Sequence, residues 1–569
     1  MTCFAGQAPL VSFAGRAPVS PPKNSKNAEA FSEFYARLAD SGKPSFSAFI
    51  PPLMSVFWSY YWRVIFRLLL LLGVEGRFYP SGCGGHKNSE NVATFSEFLG
   101  RRKIYPPRLA VSGLKPSNFA NSISEMAPKP PVKSRQFHQR NGAKSTSMSY
   151  TCRVQYFQRL SDHQLQSALE SSGAVLIEGP KWCGKTTSAV HHAASALYMA
   201  NPRDLEQNLV AADLDPTALL AGETPRLLDE WQVAPQLWDA VRFAVDERQA
   251  AGQFILTGSA TPVERSKMLH SGIGRIARMR MRTMSLFESE CPQEYVSISD
   301  LFSGKKIPVL KNNYSLEQVT ELLCRGGWPG AATHTGMDNR QAINYLDALI
   351  AEEIPLNSGN ERNPDKMRAF LRSYARHSAT SATLVNIAQD TDISETTARE
   401  YLNALQQLFV IEELPAWNPN LRSKAAIRTT AVRHFVDPSL AAAAMGAGSG
   451  VLLRDLRTLG LLFETMCIRD LRAFASALDA QLYHFRDKSG NECDAVMVQR
   501  DGRYGLIEIK LGGEDLVSQG ADSLSKLSGL IDTTKMPAPS FRMVLTANST
   551  YSLVRPDGVH VVPLTLLGL

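Results

Sequence analysis

The chain of 569 residues has only eight cysteines, with no C-x-x-C pair, and its eleven histidines form no cluster at metal-ligand spacing. That scarcity excludes a disulfide framework and a zinc finger, and a reducing cytosol is the simplest compartment. Surplus positive charge is missing from the larger part. Residues 1–147 hold 19 Lys and Arg against 7 Asp and Glu, a surplus of 12, so the remainder holds 42 against 47 and is mildly acidic. Bulk charge therefore gives no support for nucleic-acid binding there. A clean transmembrane run is also missing. "LMSVFWSYYWRVIFRLLLLLGV" (53–74) is long enough to span a bilayer, but Arg63 and Arg67 sit inside it. Each central arginine costs roughly 2.5–3.5 kcal/mol and each Leu, Ile, Val or Phe returns about 0.3–0.6, so insertion is near break-even. As a signal peptide the run begins too late and lacks a small-residue cleavage site, and no membrane partner is expected.

The first 147 residues differ in kind from the rest. "KNSKNAEAFSEF" (23–34) returns as "KNSENVATFSEF" (87–98), and "RLADSGKPSFSAFI" (37–50) returns with a one-residue slip as "RLAVSGLKPSNFANSI" (108–123). Two copies are too few for a solenoid, and Pro, Ser, Asn and Gly interrupt any amphipathic period. One reading is translated repetitive DNA upstream of a start at Met148, where "MSYTCRVQYFQRL" begins.

"IEGPKWCGKTTS" (177–188) carries the strongest chemical signal. Gly179 and Gly184 bracket Pro180, Lys181, Trp182 and Cys183, and Lys185, Thr186 and Thr187 follow, which fits G-x-x-x-x-G-K-[ST]. A phosphate chain needs converging backbone N–H groups, which glycine permits, and a cation, which Lys185 supplies; the Thr186 hydroxyl reaches Mg²⁺. "AVLIE" (174–178) reads as a buried strand before the loop, and "TTSAVHHAASALYMA" as a helix whose N-terminus faces the phosphates. ATP or GTP binding follows. In "RLLDEWQ" (226–232) an apolar run ends in Asp229, placed to hold Mg²⁺, and Glu230, placed to polarise the attacking water; an exposed acidic turn is the bland alternative. A third strand, "QFILTGS" (253–259), ends in Thr257 and Ser259, either of which could sense the γ-phosphate.

The set "GPKWCGKTT", "LLDEWQ", "FILTGSA" and "SGIGRIARMRMRTMSLFE" resembles the AAA-type ATPases of family 14. The resemblance implies a P-loop α/β fold, ATP and Mg²⁺ as cofactors, and Arg275 as an arginine that reaches a phosphate in its own or a neighbouring subunit of a homo-oligomer. Arginine suits that task because its fork stays charged and grips two oxygens. The alternating Arg278, Arg280 and Arg282 read equally as a wet strand face, and Thr283 stands where the family usually has proline.

"RGGWPGA" (325–331) is a glycine-proline turn also displayed by that family. "TLVNIAQDTDISETTAREYLNALQQLFVIEELP" (383–415) reads as helix, turn, helix and strand, with Ser394 as N-cap and Ala398, Tyr401, Leu402, Leu405 and Leu408 as a core stripe. This is a winged-helix pattern, open to either DNA contact or structural packing. Further on, "GLLFETMCIRDLRAF" (460–474) is a helix, and the strands of "LYHFRDKSGNECDAVMVQRDGRYGLIEIK" (482–510) break at SGN and RDGR. Asp494 enters one strand and Glu508-Ile509-Lys510 closes the next, the order in which restriction-endonuclease-like folds hold metal. Asp494 and Glu508 would ligate Mg²⁺, Glu464 from the helix could assist, and Lys510 could orient the nucleophilic water or stabilise the pentavalent phosphorus. The segment resembles the domain of unknown function, family 4143, that accompanies such ATPases, and the whole likeness runs from about residue 150 to the end.

The expected architecture is α/β throughout: a repeat-containing, unordered extension (1–147), an AAA-type P-loop ATPase domain (148–300), a helical and winged-helix region (301–445) and a nuclease-like domain (446–569). The expected protein is a cytoplasmic ATPase coupled to a nuclease-like domain acting on DNA. The alternative is a nucleotide-switched module whose carboxylates no longer cut.

Overall fold

The computed structural model describes residues 156–258, 271–333, 339–353, 363–418 and 429–569. All of them belong to one compact unit, Lys144–Leu569. The repeats, the 53–74 run, Met148 and Ser259 lie outside the described residues.

The N-terminal part of the described chain is built on five parallel strands, β1 (Ala174–Glu178), β2 (Ser195–Tyr198), β3 (Arg226–Asp229), β4 (Phe254–Gly258) and β5 (Ile276–Arg280), in the order β2-β3-β4-β1-β5. Continuous apolar runs such as Ala174–Ile177 suit a sheet buried on both faces, and successive side chains serve the two faces in turn. Ala174 and Leu176 pack with Leu228, Phe254 and Leu256 in one core, while Val175 and Ile177 pack with Leu227 and Ile255 in the other. Helices α1 (Leu160–Ser171) and α2 (Lys185–His192) cover the second face through Leu165, Leu169 and Ala189. Helices α3 (Leu205–Leu214) and α4 (Leu237–Arg248) cover the first through Ala212, Leu237, Trp238 and Val241.

Beyond β5 the chain becomes helical. Helix α5 (Leu286–Glu290) opens with a capping box in which Ser285 and Glu288 satisfy each other's backbone N–H groups. After β6 (Val296–Ser297) come α6 (Leu316–Arg325), α7 (Arg340–Ala348), α8 (Pro364–Arg376), α9 (Leu384–Asp390) and α10 (Glu395–Gln407). Ser394 caps α10 by accepting from Thr397 N at 3.1 Å, and Ala398, Tyr401, Leu402, Leu405 and Leu408 are buried. Antiparallel bridges Ile411↔Phe435 and Leu414↔Val432 follow the helix pair.

After α11 (Pro438–Ala444), the long α12 (Leu456–Ala477) leads into a mixed six-stranded sheet. Its strands are β7 (Ala480–Arg486), β8 (Glu492–Gln499), β9 (Tyr504–Lys510), β10 (Phe541–Thr546), β11 (Leu553–Val554) and β12 (His560–Pro563), in the order β11-β12-β10-β9-β8-β7. Helix α13 (Glu514–Gly529) packs through Val517, Ala521 and Leu524 onto Val496, Leu506 and Val544, while Phe463 and Met466 of α12 share a core with Ala495, Ile507 and Met543. That second core runs without interruption from Leu286 through Trp328, Phe370 and Leu405 to Leu545, so the helical middle and the C-terminal sheet fold around common contacts. The last strand, β13 (Leu567–Gly568), returns to pair in parallel with β6.

Candidate functional site

The C-terminal ends of β1, β3 and β4 bring the motif residues together, as parallel register requires: Ile177 and Asp229 both align with Thr257. Gly179 is obligatory because a Cβ there would lie 2.1 Å from the Met281 carbonyl oxygen, and Gly184 holds φ at +101°, a left-handed value that starts α2. Lys185 is buried and its Nζ donates to the carbonyls of Gly179 (2.9 Å) and Pro180 (2.8 Å). Thr186 Oγ1 donates to Asp229 Oδ1 at 2.7 Å, and Thr257 Oγ1 donates to the same oxygen at 2.6 Å. This donor set is all oxygen, the type that hard cations such as Mg²⁺ take, so Thr186 and Asp229 fit the ion that accompanies a nucleotide. Pro180 and Cys183 are buried, whereas Lys181, Trp182 and Thr187 are exposed. Trp182 holds φ at 63° and meets Tyr345 of α7 edge-on, 5.9 Å between ring centroids.

Glu230 follows Asp229 directly with φ of 54°, and its carboxylate accepts from the Gln232 amide. Arg275 stands at the other end of the sheet. It precedes β5, beside the start of β1 rather than its phosphate end, and its Nε pairs with Asp246 at 2.8 Å on the surface. Four residues of strand, about 13 Å, separate that edge from the phosphate loop of the same chain. The arginines at the phosphate end are Arg280 and Arg282, and Arg282 is committed to Glu412 through Nε at 2.9 Å and Nη2 at 2.6 Å. Burial opposes the charge on Glu412, but Arg282 and Arg472 outweigh it and hold the carboxyl far below its ordinary range.

A residue outside every motif props up the loop. Arg159, buried at the start of α1, donates through Nη1 to the Cys183 carbonyl (2.8 Å), through Nη2 to the Arg282 carbonyl (2.9 Å) and through Nε to Glu288 (2.9 Å). Glu288 completes the capping box of α5 with Ser285, a local arrangement that carries no signal of a partner 129 residues away.

In the C-terminal domain, Asp494 Oδ2 accepts from Ile509 N at 2.7 Å, and Lys510 Nζ lies 2.7 Å from Glu508 and 3.7 Å from Asp494. Burial, reinforced by Asp494, pushes the Glu508 carboxyl up to about 8, and Glu464 on α12 is raised by the same two causes. Burial disfavours the charge on Lys510, yet Asp494 and Glu508 more than offset this and raise it. The four side chains expected from the sequence are thus mutually close. As they stand, the Lys510 ammonium binds the carboxylates together, and among the described residues no group of three or more His, Cys, Asp or Glu side chains is arranged to hold a metal ion.

A parallel sheet whose first strand leads through a lysine-bearing glycine loop into a helix, with an acid and a threonine at the neighbouring strand ends, defines a P-loop nucleotide-binding domain. Residues 171–290 match the AAA domain family, and residues 459–567 match a domain of unknown function, DUF4143. The chain therefore carries an AAA-type ATPase domain followed by a DUF4143 domain; residues 316–450 match a further domain of unknown function, DUF8612. Among its relatives are the uncharacterized proteins Rv2008c of Mycobacterium tuberculosis and Mb2031c of Mycobacterium bovis, each 26% identical over 374 residues, 65% of this chain and 76% of the relative. The Walker-type ATPase PABY2304 of Pyrococcus abyssi is similar at 15% identity with a TM-score of 0.31, over 51% of this chain and 97% of that one. Among the described residues, no helix is long and apolar enough to cross a membrane.

Proposed function

We propose that the protein is a cytosolic, Mg²⁺-dependent ATPase whose nucleotide cycle governs a C-terminal domain acting on the phosphodiester bonds of DNA. The observation that carries the ATPase reading is the convergence of Thr186 and Thr257 on one oxygen of Asp229. Thr186 and Asp229 would hold the magnesium ion, which would supply positive charge against the charge that develops on the phosphates. Around it, residues 179–187 cradle the phosphates, Lys185 exchanges its carbonyl partners for phosphate oxygens, and Glu230, released from Gln232, orients the attacking water. Arg275 serves a neighbouring subunit of a homo-oligomer. Support for the nuclease part is the gathering of Glu464, Asp494, Glu508 and Lys510, with Asp494 and Glu508 as the metal ligands.

A second reading, a nucleotide-switched interaction module, is favoured by the ammonium of Lys510 lying between two carboxylates. Incubating the purified chain with DNA, Mg²⁺ and ATP beside an Asp494→Ala/Lys510→Ala control divides the two. Metal-dependent cleavage by the unmutated chain alone supports the nuclease; no cleavage of any DNA form selects the switch. Loss of ATP turnover in Lys185→Ala is expected under both, and retained turnover would overturn the ATPase reading itself.

A further inference from the structure

Trp182 stands in the middle of the phosphate loop with φ at 63°, in the left-handed region that favours glycine and is unfavourable for a bulky side chain. The residue is 57% exposed, so burial in a core does not hold it there. What the indole does meet is Tyr345 of α7, edge-on, with 5.9 Å between ring centroids and 71° between planes. An unfavourable backbone conformation kept at a ligand site, by a residue whose side chain reaches a second element, points to a task for the contact.

Tyr345 has a firm support behind it. It stacks on the buried Trp328 of the 325–331 turn, 4.7 Å between centroids at 29°. Pro329 of the same turn also approaches the loop, since a Cβ on Gly184 would lie 3.5 Å from its Cγ. Trp328 Nε1 donates to Ser439 Oγ at 3.1 Å, and Ser439 Oγ donates to Asp437 Oδ1 at 2.6 Å. The other oxygen of Asp437 accepts from Arg469 Nη1 at 3.1 Å and from Gly327 N at 2.9 Å. Trp328, Ser439, Asp437 and Arg469 are at most 2% exposed, and at the low dielectric of such a site these bonds are strong enough to favour one arrangement. Arg469 lies on α12, five residues or about 7.5 Å of helix beyond Glu464.

We propose that Trp182 and Tyr345 couple the phosphate loop to the C-terminal domain. The torsions of Trp182 orient its own N–H and that of Cys183, so a phosphate resting on those groups and the ring contact fix the same stretch of backbone. Each therefore favours the other, and such coupling is reciprocal. Bound ATP steadies α7 and the 325–331 turn and, through Asp437 and Arg469, the part of α12 that carries Glu464. Both aromatic residues act through others and are positioning residues. The inference rests on the reading that ATP occupies the loop and governs the C-terminal domain, and it names the route.

The test is amide hydrogen exchange of the full chain with and without Mg²⁺ and saturating β,γ-imido-ATP, beside calorimetric titration with the same analogue. Exchange in residues 325–333, 340–348 and 464–472 is expected to slow by about fivefold or more on binding. Trp182→Gly and Tyr345→Leu should abolish this response at saturating ligand, whereas Tyr345→Phe, which keeps the ring, should retain it. By reciprocity Tyr345→Leu should also weaken binding by about fivefold or more. A full response in Trp182→Gly or Tyr345→Leu, a response that stops short of 464–472, or unchanged affinity in Tyr345→Leu overturns the proposal. Exchange raised equally with and without ligand marks a contact that only supports the fold, and overturns it too. Trp182 is exposed, so its glycine variant decides the matter if Tyr345→Leu does not fold. Heat of binding with no exchange response in the unmutated chain removes this inference alone; no heat at millimolar ligand removes the ATP reading beneath it.

Discussion

Arg159 and Glu288 form an ion pair of 2.9 Å, both side chains at most 5% exposed, directly behind the phosphate loop. Burial opposes both charges, yet Arg159 and the Ser285 and Leu160 backbone amides leave the Glu288 carboxyl below its ordinary range, and Glu288 raises Arg159. Removing one partner strands the other charge, so Glu288→Gln is expected to destabilise the protein by about 3–5 kcal/mol. The pH dependence has a fixed sign. A carboxyl depressed by folding adds stability above its unfolded value, and this is lost as pH falls through the folded value, below the usual glutamate range. Urea unfolding at pH 7 and pH 3 should show the acid-sensitive increment in the unmutated chain and its loss in Glu288→Gln.

Arg159 also holds the loop itself through the Cys183 carbonyl. Arg159→Met should therefore raise the KM for ATP more than it lowers kcat, because the nitrogens of the loop lose their backing while Asp229 and Glu230 keep their strand-end positions. Steady-state kinetics on variant preparations that remain folded by circular dichroism read this directly. An unchanged KM would show that the loop is rigid without its buttress.

Glu230 and Asp229 are adjacent but differently engaged, which separates their phenotypes. Asp229 is the shared acceptor of two threonine hydroxyls, whereas Glu230 contacts Gln232. Glu230→Gln should bind ATP normally and lose turnover by about 10²–10⁴-fold, the usual weight of general-base catalysis. Asp229→Asn should lose the Mg²⁺ dependence of binding as well. Filter binding of labelled ATP beside phosphate release distinguishes the two.

Arg275 lies on the edge of the sheet opposite the loop, and its bond to Asp246 is a surface pair with a side chain 46% exposed. Such pairs contribute about 0–1 kcal/mol. Arg275→Ala should leave the melting temperature within a degree or two and, at concentrations where the chain is monomeric by light scattering, leave ATP turnover within about twofold. A large loss in the monomer would mean that the strand polarity does not keep this residue from its own nucleotide.

What the sequence disclosed and what it withheld follow from the range of the interactions. The loop, Asp229 and Thr257 were legible because each sits at a fixed offset after a short apolar strand, and parallel register places all such ends on one edge. The core stripe of α10 was legible through its helical period, and the strand breaks around β8 through their turn residues. That Arg275 stands at the end of the sheet away from the loop of its own chain was not legible, because a motif gives residue order but not which end of a strand a neighbour occupies. Arg159 and Glu288 passed unnoticed because their pairing joins positions 129 residues apart. The common core spanning Leu286 to Leu545 likewise has no signature in composition, which changes along the chain while the packing does not.

Glu508 offers the clearest titration. Burial beside Asp494 raises its carboxyl to about 8, so the folded protein holds a proton there that the unfolded chain releases near its ordinary value. The contribution to stability is full below the unfolded value and declines as pH rises from about 4.5 to about 8. Glu508→Gln, which cannot ionise, should remove this slope and be more stable than the unmutated chain at pH 8, by on the order of a few kcal/mol. At pH 4 the difference should vanish, since both side chains are then neutral. Thermal melts across pH 4–8 measure the slope directly; parallel curves for the two proteins would place the raised titration elsewhere in the cluster, with Glu464 the next residue to replace.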